Sequence, residues 1–365
     1  MRYLRFLKSP RITTDKGTNR THVSCLITIT SDLGDSFFPY HVELAAELIS
    51  PAGDEICVWR TVQWTAGMRS LAITLPLKKS YASSPLRVRV GVEPKAQSDD
   101  FNELSHADAH GIVSAWSADF NSPANPAGAK LVQRRFKMGE KVISVWEETG
   151  ESIARHLWDA GITLSHHLSL LLDPPNSLST ALLPHHTGPL TVLELGTGCG
   201  IVGLTLASLV PKTAVVLTDL PEAQEIVSTN LSLCASSLAP GSSVTFAELD
   251  WDAQLPTWLT QSEKTLDLVV AADCTYNSDS SPSLVRTLRA LTTTSPDVVV
   301  AVAMKMRHES ERVFFSLMQD AGFVETAVLQ WEVPGDIKKG EERGLVGIRE
   351  KKKKKKKKKK IYLRK

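Results

Sequence analysis

Several things are scarce in this sequence, and each scarcity excludes a class. No stretch approaches the roughly 18 uninterrupted apolar residues of a bilayer-spanning helix, so no membrane span is expected. The opening MRYLRFLKSPRITTDKG has basic residues but no continuous apolar region and no small-residue cleavage site. No secretory leader is therefore expected, and Asp15 and the lack of an amphipathic repeat speak against a transit peptide. Cysteines number five in 365 residues, at Cys25, Cys57, Cys199, Cys234 and Cys274, and no two have metal-ligand spacing. That excludes a disulfide framework and a zinc module, and makes reduced thiols in the cytoplasm or nucleus the expectation. The histidine pairs His166-His167 and His185-His186 are adjacent, so their side chains diverge on a helix or strand. They read as structural or surface groups, and no metal site is expected.

What is present begins with charge. The formal net charge of +2 hides a division. Residues 351–365 hold ten consecutive lysines plus Arg364 and Lys365; without these twelve, 30 basic face 40 acidic residues, a net charge of −10. The body is acidic and the basic character sits in one tail. A decalysine run cannot pack, because its charges repel and it gains no apolar burial. It is expected to be disordered. Any nucleic-acid contact would come through its attraction to phosphates. It reads as translated noncoding sequence in preference to a functional tail, and no function is assigned to it.

The remainder divides in two. Over about 21–94 the pattern is that of strands: residues 21–30, 40–50, 55–65, 69–77 and 86–92, separated by turns such as Pro51-Ala52-Gly53-Asp54. Leu86 to Val92 alternates with period two. Short strands at that spacing predict a small antiparallel sandwich or sheet, and no catalytic constellation falls within it. Residues 120–129, FNSPANPAGA, read as linker. The expected domains are thus 1–129, 130–350 and the tail 351–365. From about 150 strands alternate with helices: strands at 191–195, 214–218, 243–249, 266–272 and 297–304, and helices at 201–209, 221–233 and 281–292. This predicts an α/β unit with a parallel, doubly wound sheet.

The chemistry concentrates at the carboxyl ends of those strands, which border the ligand crevice in an open α/β sheet. The first strand runs into Glu194-Leu195-Gly196-Thr197-Gly198-Cys199-Gly200. Alternating glycines let the chain turn sharply and let a ligand approach the backbone. Within it, Gly198 to Gly203 also matches the dinucleotide pattern G-x-G-x-x-G, and Asp219 lies near the distance expected of a ribose-binding acid. Two features favour S-adenosyl-L-methionine over a nicotinamide cofactor. Glu194 and Gly196 extend the motif to E-x-G-x-G-x-G, and the later motifs suit methyl transfer. Asp219 ends the second strand, where a carboxylate can accept both ribose hydroxyls; read in isolation it would be a helix cap before Pro221. Asp250-Trp251 follows the third strand, an acid beside an aromatic that could hold an adenine. Asp273-Cys274-Thr275-Tyr276 follows the fourth. There a carboxylate can hold an acceptor ammonium and help its proton leave, and a tyrosine can position the nitrogen. Cys274 reads as packing. The absence of N-P-P-Y at this strand argues against planar amide or base nitrogens as acceptors.

Taken in order, these motifs resemble the seven-strand methyltransferases of family 16, protein-lysine methyltransferases and close relatives. The matching pieces are Val145-Trp146-Glu147-Glu148-Thr149-Gly150, the segment His156 to Ser165 with Trp158-Asp159-Ala160-Gly161, the loop Glu194–Gly200, Asp219, Leu249-Asp250-Trp251 and Ala272 to Tyr276. The resemblance spans about residues 140–350. It implies a Rossmann-like doubly wound seven-strand sheet and an S-adenosyl-L-methionine cofactor held by Trp158, Gly196, Thr197, Gly198, Asp219, Trp251 and Ala272; Glu194, Gly200 and Asp250 join these as cofactor-binding candidates from the motifs themselves. It also implies an acceptor channel bordered by Asp273 and Tyr276, with a lysine of a partner protein as acceptor. Arg307 and Glu309 read as salt-bridged residues at a helix start. The strand-rich N-terminal region has no counterpart in short family members and looks like an extension found in fungal relatives. GLVGIRE, before the lysines, is a poor closing strand. Two other functions share these residues: a small-molecule N-methyltransferase, which a deep closed pocket would favour, and a non-catalytic S-adenosyl-L-methionine-binding protein.

Overall fold

The structure is a computed structural model describing residues 1–52, 54–81, 84–94, 96–121, 130–149, 153–171, 176–183, 188–261, 265–335 and 345–353. His185, His186, most of the linker and the lysines after Lys353 lie outside the described residues.

The N-terminal strands are β1 (Arg2–Thr14), β2 (Thr21–Thr30), β3 (Val42–Ser50), β4 (Glu55–Trp64), β5 (Leu71–Pro76), β6 (Arg87–Val92), β7 (Asp99–Asp100), β8 (Ile112–Val113), β9 (Ala115–Ser117), β10 (Leu131–Met138) and β11 (Lys141–Glu148). They form two sheets, β5-β2-β1-β8 and β11-β10-β9-β6-β3-β4, with β7 paired to β10. Leu4, Phe6, Ile27 and Ile29 of one sheet pack against Leu44, Leu48, Val88 and Val90 of the other in a common core. This is the expected sandwich, with more strands than the periodicity revealed. Strand β1 escapes a period-two reading because its register with β2 shifts between Phe6 and Lys8 and again before Arg11; each bulge moves the next side chain to the other face.

The boundary at residue 130 falls inside this sandwich. Strands β10 and β11 form a hairpin with Met138 opposite Lys141, and β10 pairs β9. Gly139, at φ +60°, takes the first place of the two-residue turn, a position that demands positive φ.

The second unit contains β12 (Leu190–Leu195), β13 (Thr213–Asp219), β14 (Ser243–Glu248), β15 (Leu268–Ala272), β16 (Val299–Lys305), β17 (Phe323–Glu332) and β18 (Leu345–Lys353). Helices in chain order are α1 (Phe101–Leu104), α2 (Asp159–Leu168), α3 (Ser177–Leu182), α4 (Ile201–Leu209), α5 (Gln224–Cys234), α6 (Thr257–Thr260), α7 (Ser281–Thr294) and α8 (Val313–Asp320). Among the described residues the sheet has seven strands in the order β14-β13-β12-β15-β16-β18-β17. The first five are parallel, and β18 is antiparallel to both its neighbours. This is the doubly wound order with a reversed strand inserted next to the last.

Strand side chains divide by parity. Val192, Leu268, Val270, Val299 and Ala301 join the core under α2, α4 and α5. Leu193, Val269, Ala271, Val300 and Val302 join the core under α7 and α8. Burial on both faces explains why these strands read as continuous apolar runs. The first core also takes in Tyr3, Phe136 and Val145, so sandwich and sheet share one apolar interior. The weak closing segment does form a strand, extending through Lys353, three residues past the boundary set for the tail. Ladders from β16 and β17 on its two sides supply the backbone partners that its side chains do not specify.

Candidate active site

The parallel strands end together, and the loops after them enclose a cavity of about 550 Å³. That lies within the range of small-molecule and cofactor sites. Trp158, Glu194, Gly196, Thr197, Gly198, Asp219, Asp250, Trp251, Ala272, Asp273 and Tyr276 all line it. Gly200 does not. At φ +83° it caps α4, where a Cβ would meet Leu217 and Leu204, so its place is set by helix–strand packing.

The glycine loop shows why it is built without side chains. Gly196 has φ +59°, and a Cβ there would stand 2.7 Å from Cys274 Sγ and 3.2 Å from the Trp251 ring. A Cβ on Gly198, at φ +56°, would stand 3.0 Å from the carbonyl oxygen of Ala154. The bare backbone thus lies between two aromatic-bearing segments, 153–158 and 250–252. Such a cradle fits an adenosyl group, with Trp251 and Trp158 to stack and Asp219 to accept from the ribose. The Gly198 N–H donates to Asp219 Oδ2 at 2.8 Å and the Leu220 N–H to Oδ1 at 2.8 Å. These bonds orient the carboxylate, while its burial raises the carboxyl above its ordinary value.

Glu194 lines the cavity but faces the protein. Its Oε2 accepts from the Gly203 N–H at 2.7 Å, tying the strand end to α4. Burial pushes this carboxyl up to about 8, so it is neutral at physiological pH. Asp273 differs from the free carboxylate expected. It sits at φ +55°, accepts from the Ala160 N–H through Oδ2 at 2.8 Å and pairs with Arg307 through Oδ1 at 2.9 Å. It therefore holds the start of α2 and one guanidinium. Tyr276 is 53% exposed at the rim. Cys274 is buried with Sγ against the Leu195 carbonyl, and burial raises its thiol well above the ordinary range, in keeping with packing.

Residues 157–160 are pinned by three acids. The Leu157 N–H donates to Glu147 Oε2 at 2.9 Å, Asp273 holds the Ala160 N–H, and buried Asp159 accepts from Tyr3 Oη at 2.7 Å and Lys305 Nζ at 2.8 Å. Burial would raise Glu147, but Arg134 and His156 more than reverse it, to about 2. Arg134, itself fully buried, also donates to the Leu4 and Ser114 carbonyls. Arg307 is more than a helix-start residue: it joins Asp273 to Asp32 of the sandwich, Nη2 to Oδ2 at 2.7 Å, and lies 5.6 Å from the Trp158 ring centroid. Nothing local in the sequence marks Asp32 or Tyr3, because their partners stand more than 150 residues away.

The expected histidine role holds for one pair. His166 stacks on Phe101 and His167 on Trp331, and burial lowers His167 to about 3.

The sequence pattern of a family described as lysine methyltransferases matches residues 137–321, just over half of the chain. The chain belongs to the lysine methyltransferase family. A UPF0665 family protein of Schizosaccharomyces pombe is 28% identical over 299 residues, covering 80% of this chain and 85% of its own length. That match is longer than everything after residue 137, so it includes part of the sandwich. The mouse protein-lysine N-methyltransferase EEF2KMT is 30% identical over 195 residues, 43% of this chain and 57% of its own length. The Saccharomyces cerevisiae protein-lysine N-methyltransferase EFM6 is 32% identical over 135 residues, 34% of this chain and 53% of its own. This chain thus spans little more than half the length of those two relatives. Membership settles the ambiguity of the glycine motif in favour of S-adenosyl-L-methionine over a nicotinamide cofactor.

Proposed function

We propose that the chain methylates a lysine side chain of a partner protein, with the amine entering past Tyr276. One observation carries this reading. Apart from the neutral Glu194 and the Arg307-paired Asp273, four acids line the cavity, Asp219, Glu222, Asp250 and Asp252, and among the described lining residues there is no Lys or Arg. Glu222, Asp250, Asp252 and Tyr276 are exposed, so the acidic wall opens to solvent on the Tyr276 side. An open, acidic mouth draws a cationic side chain on a large partner, whereas a closed pocket would suit a small free amine. Ile153 and Leu220 are exposed apolar residues on the cavity lining.

The cofactor supplies an electrophilic methyl group. The protein binds, orients and excludes. Trp158, Trp251, Asp219 and the glycine loop would hold the adenosyl moiety. Burial raises the Tyr276 phenol above its ordinary value, so it remains a neutral hydrogen-bonding group that can fix the acceptor nitrogen. When bound, the cofactor would supply its methyl group to the neutral amine, whose proton would leave to solvent through the open mouth. Asp273 acts as a positioning residue for α2 and Arg307. Five free cysteines support a reducing compartment, the cytoplasm or nucleus.

The test is incubation of the protein with methyl-labelled S-adenosyl-L-methionine and an extract of cells lacking the gene. A discrete labelled protein band, stable to base and lost with Tyr276→Phe and with Gly196→Ala, is expected. Label confined to small molecules would overturn the protein-acceptor reading.

A further inference from the structure

We infer that Asp32, in the turn after β2 of the N-terminal sandwich, is a positioning residue for the cofactor that acts through Arg307 on Trp158 and Asp273. The inference depends on the cofactor cavity and not on which acceptor is methylated.

Asp32 is set rigidly in the sandwich. It lies in the turn after β2, where Ser31 Oγ donates to Asp35 Oδ1 at 2.5 Å and the Ser31 N–H donates to the Ser36 carbonyl. Its own carbonyl accepts from Arg5 of β1 at 2.8 Å, and Arg2 of the same strand donates to Ser36 Oγ at 2.7 Å. The turn is therefore fastened to β1 before Asp32 reaches across to Arg307.

Arg307 is placed to transmit that constraint. A planar guanidinium fork can satisfy two carboxylates at once while stacking on a ring. Here Nη2 takes Asp32, Nη1 takes Asp273, and Cζ lies 5.6 Å from the centroid of the Trp158 ring. Asp273 and Trp158 both line the cavity. Both acid side chains are 4% exposed and Arg307 is 14% exposed, so water cannot easily replace a lost partner. Supporting residues of this kind fix the orientation of the groups that touch a ligand. Without the Asp32 charge, the guanidinium is free to swing toward Asp273 alone, and its cation–π contact with Trp158 is disturbed. Two further ties from the sandwich reach the same segment, Tyr3 to Asp159 and Arg134 through Glu147 to the Leu157 N–H. The sandwich therefore braces the cavity wall itself.

The experiment is calorimetric titration of the full chain with S-adenosylhomocysteine, which reads binding without any acceptor. Asp32→Asn is expected to raise Kd fivefold or more, and Asp32→Glu to recover most of that loss. Arg307→Lys keeps the charge but cannot span both acids. It is expected to raise Kd similarly, and the double variant Asp32→Asn/Arg307→Lys to be no worse than either single one. Glu47→Gln disturbs a different buried pair, with Arg89, in the same sandwich and is expected to stay within twofold of wild type. Wild-type affinity in Asp32→Asn would overturn the inference. So would an equal loss in Glu47→Gln, or independent, additive losses at Asp32 and Arg307. Failure to label a protein in extract would instead overturn the acceptor reading and leave these affinities as they are.

Discussion

Glu194→Gln isolates the consequence of burying an acid at the end of the first central strand. Glu194 is 2% exposed, and burial pushes its carboxyl from an ordinary 4.5 to about 8. Between those values the folded chain holds a proton that the unfolded chain has released. Stability therefore falls as pH rises from about 4.5 to about 8, and is flat outside that window as far as this group is concerned. At 1.36 kcal/mol per pH unit, the full effect is on the order of 5 kcal/mol, a large share of a typical domain's stability. Glutamine keeps the shape, can accept the same Gly203 N–H and cannot ionise. Urea unfolding of both proteins from pH 4 to pH 9 should give similar stability at the acid end. The variant should gain by several kcal/mol at the alkaline end. Taking the difference cancels the contributions of Asp219 and the other shared groups. Parallel curves across this range, or a gap that closes with rising pH, would refute the reasoning.

Three further outcomes follow from the same geometry. Gly196→Ala places a Cβ 2.7 Å from Cys274 Sγ at φ +59°, which adds about 1–2 kcal/mol of backbone strain for an L side chain. The Kd for S-adenosylhomocysteine should rise about tenfold or more, while Gly188→Ala, with nothing within 4 Å, should bind as wild type. Cys274→Ala should cost about 1 kcal/mol of stability and keep methyl transfer within a few-fold in the extract assay; loss of transfer in a folded variant would give the thiol a chemical role. Arg134→Met leaves Glu147 buried without its guanidinium and should cost about 3–5 kcal/mol in urea unfolding near neutral pH. Because Glu147 is lowered to about 2 in the fold, the wild-type advantage should shrink as pH drops from 4.5 through about 2; an advantage that persists unchanged would locate it elsewhere.

Much of the site was legible because it is local. The strand, glycine turn and helix over 190–209 are contiguous, and the acids after each parallel strand fall at one end of the sheet by topology alone. What these residues do was less legible. Gly200 sits in the motif but serves helix packing. Asp273 looks like a free carboxylate in sequence, and in the fold its two oxygens hold the Ala160 N–H and Arg307. In the hairpin over 131–148 only the second strand alternates, and nothing in its residues says which sheet it joins.

By itself the sequence determined the parallel order of chemistry: apolar runs too short and too β-branched for helices, the first four leading into an acid or glycine, and most followed by a helix. It also favoured one cofactor class, since the glycine loop and its later acids form one ordered set. Only the tertiary structure decided that the sandwich braces the cavity. Asp32 and Arg307 are 275 residues apart, Tyr3 and Asp159 are 156 apart, and Arg134 bridges to Leu4 across 130. Such pairs carry no periodicity and no spacing. They exist because the two units share one apolar interior, in which each buried charge must meet its partner wherever the chain happens to bring one.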